Sequence, residues 1–87
     1  MSDESLLEFP LEFPIKMMGH DTAEFRTTAR ALVEKHVGAV ADSAVQIATS
    51  RNGRFVSVTV TITATSQEQL DAIYYDATAH DDVLMAL

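Results

Sequence analysis

The chain has 87 residues, 47% of them hydrophobic, with six Lys and Arg against thirteen Asp and Glu, a net charge of −7 and no cysteine. That makes one small domain with apolar surface for a single core and no disulfide, thiolate metal site, iron–sulfur cluster or cysteine nucleophile. The acidic balance argues against nonspecific binding to nucleic acid or an anionic membrane.

The stretch LLEFPLEFPIKMMG, residues 6–19, holds both prolines of the chain. Proline cannot donate to a strand ladder. In a central strand, Pro14 is therefore expected at the very beginning, with regular pairing from Ile15 to Met18. Residues 1–10 are expected to form an extended N-terminal arm ahead of a domain at residues 11–87. Leu6, Leu7, Phe9 and Leu11 of this extended stretch need cover, from their own sheet or from a partner. Leu11 to Met18 reads as a first strand, with Phe13, Ile15 and Met17 on the apolar parity and Lys16 on the polar one. Gly19 is expected to break it.

Asp21, with Glu24 three residues on, has the form of a capping box for a helix over residues 22–37. Phe25, Ala29, Leu32, Val33 and His36 fall on one stripe, and Gly38 suits the helix end. Residues 43–50, SAVQIATS, suit a strand with Val45 and Ile47 inward. Asn52-Gly53 signals a two-residue type I′ hairpin, in which both residues take positive φ. Across that turn Arg51 and Arg54 would face each other, unfavourably unless an anion or partner sits between them.

The returning strand, FVSVTVTITAT (55–65), alternates Val56, Val58, Val60, Ile62 and Ala64 against Phe55, Ser57, Thr59, Thr61 and Thr63. Ser66 and Gln69 repeat the capping logic for a second helix carrying Leu70, Ile73, Tyr74 and Ala77. Asp81-Asp82 turns the chain into a last strand, VLMAL (83–87). The order βαββαβ defines an α+β, ferredoxin-like sandwich: a four-stranded antiparallel sheet, two helices on one face, strands one and three central.

The residues point to no chemistry. His20, His36 and His80 are dispersed, no spacing of metal ligands recurs, and neither an enzyme nor a cofactor is expected. The polar face of strand three offers only Phe55 among threonines, and the net charge is strongly negative, so RNA binding is not expected. No basic region precedes an apolar run at the N-terminus, and no segment reaches the roughly 20 apolar residues of a membrane span. Lys16, Gly19 and His20, at the junction of strand one and helix one, are the candidate ligand-binding residues. Arg51 and Arg54 are candidates for an anion or partner contact. A snorkelling lysine and a solvated hairpin tip are the plainer accounts of these cations.

LLEFPLEFPIKMMG, SRNGRF, TITATSQEQLDAIY and DDVLMAL together resemble the YbeD-like family of small bacterial proteins, from Leu6 to Leu87. The most specific parts are LLEFP, the Phe13/Lys16/Met18/Gly19 pattern, the turn from Ser50 to Gly53 and the C-terminal strand; AEFRTTARALVEKHVG matches loosely. The resemblance implies an ACT-like fold, a cytoplasmic location and a regulatory role that the family's naming links to lipoate. It supplies no catalytic or ligand residue. The expected function is a regulatory module that binds a small-molecule effector or a protein partner, with a homodimer in keeping with ACT-like domains. The alternative is a ligand-free interaction domain that uses the polar sheet face or the LLEFP arm.

Overall fold

The computed structural model of the chain describes residues 7–87, so of the arm expected over residues 1–10 only the last four are among the described residues. The elements run β1 (Leu11–His20), α1 (Ala23–Val37), a short 3-10 turn (Asp42–Ala44), β2 (Val45–Thr49), β3 (Phe55–Ala64), α2 (Gln67–Ala79) and β4 (Met85–Ala86). The sheet order is β2-β3-β1-β4, with every pairing antiparallel. This is the α+β, ferredoxin-like arrangement that the patterning implies, with β1 and β3 in the centre.

The core follows from period-two and period-3.6 patterning meeting in one layer. Ile15 and Met17 of β1, alternate β3 residues from Val56 to Ala64, Phe25, Ala29 and Val33 of α1, and Leu70, Ile73 and Ala77 of α2 are buried together. Leu7, Phe9 and Phe13 pack against this cluster. The ring of Phe13 also meets Tyr74 edge-on, with centroids 6.5 Å apart.

Five local expectations need correction. Pro14 does not start β1: it pairs with Thr61 in the middle of a ladder that runs from Leu11 to His20. Lys16 exchanges backbone hydrogen bonds with Leu87, and the carbonyl of Met18 accepts from Leu84, so even-numbered β1 residues aim their polar groups away from β3. Pro14 shares that parity. Its missing N–H points to the outer edge beyond the Lys16–Leu87 pair, where no strand of the described residues lies, and β3 pairing loses nothing.

Gly19 does not end the strand either; β1 continues to His20. The N-cap of α1 is Thr22, whose Oγ1 accepts from the N–H of Phe25 at 2.9 Å, while Asp21 instead receives Arg26 at 2.8 Å. The hairpin is not type I′. Only Gly53 has positive φ, at 75°, and its N–H donates to the carbonyl of Ser50 across a four-residue loop closed by Ser50 and Phe55. The Ser50 hydroxyl and the Asn52 side chain hold that loop through the N–H groups of Phe55 and Arg54. Finally, Ile47 lies on the helix side but is 41% exposed, because β2 is an edge strand that α1 does not fully cover.

The helix ends behave as their residues dictate. Gly38, at φ 84°, ends α1 with its N–H on the carbonyl of Glu34. Ser66 caps α2 through the N–H of Gln69, and the Gln69 side chain accepts from Thr65.

Candidate functional site

One face of the sheet lies under the two helices, and among the described residues the other has no layer over it. Strand register assigns the open face row by row. Gln46, Thr59 and Lys16 form one row, and Ala48, Ser57, Met18 and Met85 the next. Phe55 and His20 form a third, their rings stacked at 5.1 Å with a tilt of 31°. Thr61 and Pro14, then Thr63 and Glu12, continue the face. It combines small hydroxyls, a methionine pair, a His–Phe stack and an exposed lysine on a central strand.

Lys16, Gly19 and His20 do not converge. Lys16 and His20 share the open face, but four residues of extended chain hold them about 13 Å apart. Gly19 faces the opposite way, into the helix layer. A Cβ there would lie 2.6 Å from both the carbonyl oxygen of Asp82 and the ring of Phe25, so the residue is glycine because α1 and the α2–β4 loop close down on it. Beside it is a depression of about 360 Å³ lined by His20, Thr22, Glu24, Phe25, Asp81 and Asp82. Three of those six are carboxylates, a poor setting for an anionic effector. Among the described residues no group of three His, Asp or Glu is placed to hold a metal ion.

Arg51 and Arg54 stand on the exposed hairpin loop, and neither has an ion pair among the described residues. The backbone carbonyl of Arg54 accepts from the N–H of Asp21, tying the loop to the β1–α1 junction.

Two polar clusters carry most of the remaining electrostatics, and both serve the scaffold. Arg30 reaches Glu34, Asp42 and the carbonyl of Val40, and so pins the α1–β2 connection onto α1. The N–H of Val40, and then Arg30, hold the Glu34 carboxyl below its ordinary pKa although desolvation pushes it upward. Across the helices, His36 Nε2 lies 2.6 Å and Lys35 Nζ 3.2 Å from Asp76 Oδ2, which lowers the Asp76 pKa, His36 contributing most. The His36–Asp76 bridge joins residues 40 apart in sequence, and only the docking of α1 on α2 creates it. The Tyr74 hydroxyl donates to the Leu87 carbonyl at 2.7 Å, and burial raises its pKa.

Fold and surface thus define a small ferredoxin-like domain with one sheet face that the described residues leave uncovered. Residues 4–87 match the family described as "Protein of unknown function (DUF493)", and the chain belongs to that family. It is 47% identical to a UPF0250 protein of Chromobacterium violaceum over the full length of both chains. It is 39% identical to UPF0250 protein NE1487 of Nitrosomonas europaea, again over both whole chains. The solution structure of protein HP0495 from H. pylori superposes with a TM-score of 0.76, covering 99% of this chain and 90% of that one at 17% identity. That likeness is one of fold. Among the described residues no helix is long and apolar enough to cross a membrane.

Proposed function

We propose that this chain is a non-catalytic binding module that docks a protein partner on the open face of its sheet. The observation that carries the reading is the face itself: a field of half-exposed Ser57, Thr59 and Thr61 around Met18 and Phe55, with the exposed Lys16 beside Thr59 and no covering layer among the described residues. Such a surface suits a partner that brings apolar side chains to the methionines and a carboxylate to Lys16. A small anionic effector at the β1–α1 junction is the weaker reading, given the carboxylates of Glu24, Asp81 and Asp82 around that depression. The regulatory role, its link to lipoate metabolism and a cytoplasmic setting rest on the family resemblance alone.

Photo-crosslinking in cells tests the docking surface. A photoreactive residue at Thr59 is expected to give discrete heavier adducts that disappear when Lys16→Glu is added. The same probe at Ala72, on the exposed side of α2, is expected to give none. Adducts from Ala72 with none from Thr59 would place the partner on the helices and sink the reading.

A further inference from the structure

Sheet edges, unlike sheet faces, carry unspent backbone hydrogen bonds, and natural proteins protect them with charges, prolines, bulges or very short strands. One edge here is protected in these ways. On the β4 side the outermost strand has two residues, and the stretch of β1 beyond it carries Pro14. The other edge is not. β2 reads VQIAT, with no charge, proline or glycine, and four of its five residues are exposed.

The N–H of Ser50 donates to Phe55 of β3, so the even residues of β2 turn toward β3 and Val45, Ile47 and Thr49 turn outward. The N–H of Val45 is taken by the carbonyl of Asp42. The carbonyl of Val45 and both backbone groups of Ile47 and Thr49 therefore face the open edge. Beside them lies a groove of about 520 Å³ between β2 and α1, lined by Thr27, Ala31, Val45 and Ile47 and flanked by Arg26, Arg30, Glu34 and Asp42.

We infer that this edge pairs with the same edge of a second copy of the chain, antiparallel about a twofold axis at Ile47. The strand is self-complementary in that register. Ile47 lies opposite Ile47 of the second copy, and Val45 opposite Thr49, an arrangement that closes about four backbone hydrogen bonds across the axis. The partly exposed Ile47 side chains, on the helix side of both sheets, meet and cover each other. The same register brings Arg51 of one copy beside Ser43 and Asp42 of the other. Arg51 has no ion pair among the described residues, and the Asp42 side chain is 95% exposed although it bonds Arg30. Along α1, Arg26 and Arg30 precede Glu34, so two antiparallel copies of this helix face set cations toward carboxylates. The product is one sheet of eight strands with its open face continuous across both copies. This surface is distinct from the docking face proposed above, and either can fail without the other.

The absence of cysteine makes the test direct. Full-length chain carrying Ile47→Cys is compared with chain carrying Met85→Cys, at the β4 edge, under mild oxidation. Ile47→Cys is expected to form a disulfide-linked dimer promptly, and Met85→Cys is not. In parallel, sedimentation equilibrium follows the parent, Ile47→Lys and Arg51→Glu at equal concentrations. A dimer that Ile47→Lys weakens about tenfold or more, and Arg51→Glu less, supports the interface. Circular dichroism confirms that each variant stays folded. A monomer at every concentration, a dimer indifferent to Ile47→Lys, or equal crosslinking from both cysteines overturns it.

Discussion

The two faces of β3 belong to one ten-residue strand and obey different rules. On one side Val56, Val58, Val60 and Ala64 are sealed by α1 and α2, each 1% exposed or less. On the other, Phe55, Ser57, Thr59 and Thr61 are half-buried by their strand neighbours alone. The first face is fixed by close packing, where a single methylene matters. The second needs only β-propensity and neighbours that fit a pleated surface, which threonine supplies at little cost. Its side chains are free to be selected for something other than stability.

The comparison breaks most visibly on the covered side. Phe25→Ala opens a cavity under Gly19 and is expected to cost about 3–5 kcal/mol, a large share of what so small a domain has. Urea unfolding should show a much lower midpoint or a chain already unfolded. Gly19→Ala comes next. Its methyl has to displace the Asp82 carbonyl and the Phe25 ring, at a cost of about 1–3 kcal/mol. A Gly19→Ala protein as stable as the parent would show that the α2–β4 loop gives way freely.

Asp76→Asn should act more weakly and in a pH-dependent way. The folded-state pKa of Asp76 is held below its ordinary value by His36 and Lys35. The stability it contributes is therefore full above the ordinary carboxylate pKa and drains away as pH falls through the depressed one. Melting curves of the parent and Asp76→Asn should differ at neutral pH and converge in acid. A gap of constant size would remove the electrostatic account. On the open face, Thr59→Ala is expected to shift stability by no more than about 0.5 kcal/mol in either direction while weakening partner adducts. A large loss of stability there would mean the face is structural after all.

The sequence is legible where one physical signal dominates. The alternation of β3, the Ser66 cap and Gly38 at the end of α1 each follow from local chemistry, and the parity of Lys16 follows from strand period. Legibility fails where two local solutions compete. Asp21 and Thr22 are both good caps, and a long-armed Arg26 decides between them by taking the aspartate. Asn-Gly is compatible with more than one hairpin, and the Ser50 hydroxyl selects the longer loop. Pro14 looks prohibited in a central strand until one knows which edge its nitrogen faces. The Arg30 hub and the His36–Asp76 bridge depend on chain segments meeting in space, and no local pattern announces them. The same holds for the site: Lys16 and His20 are legible as residues of one face. Gly19, read as a strand breaker, takes its place on the inward parity of Ile15 and Met17 only because β1 continues through it. The close approach of α1 that demands a glycine there has no local signal.

The two prolines in EFPLEFP invite a reading as a repeated motif, yet Pro14 has a consequence better stated in the language of polymer chemistry. A sheet with two reactive edges is a bifunctional monomer and grows into fibres. Among the described residues, Pro14 and the two-residue β4 leave the far side without a strand long enough to add to. With the β2 edge pairing as proposed, the chain would be a monofunctional unit: it would form pairs, and the chain reaction would stop there.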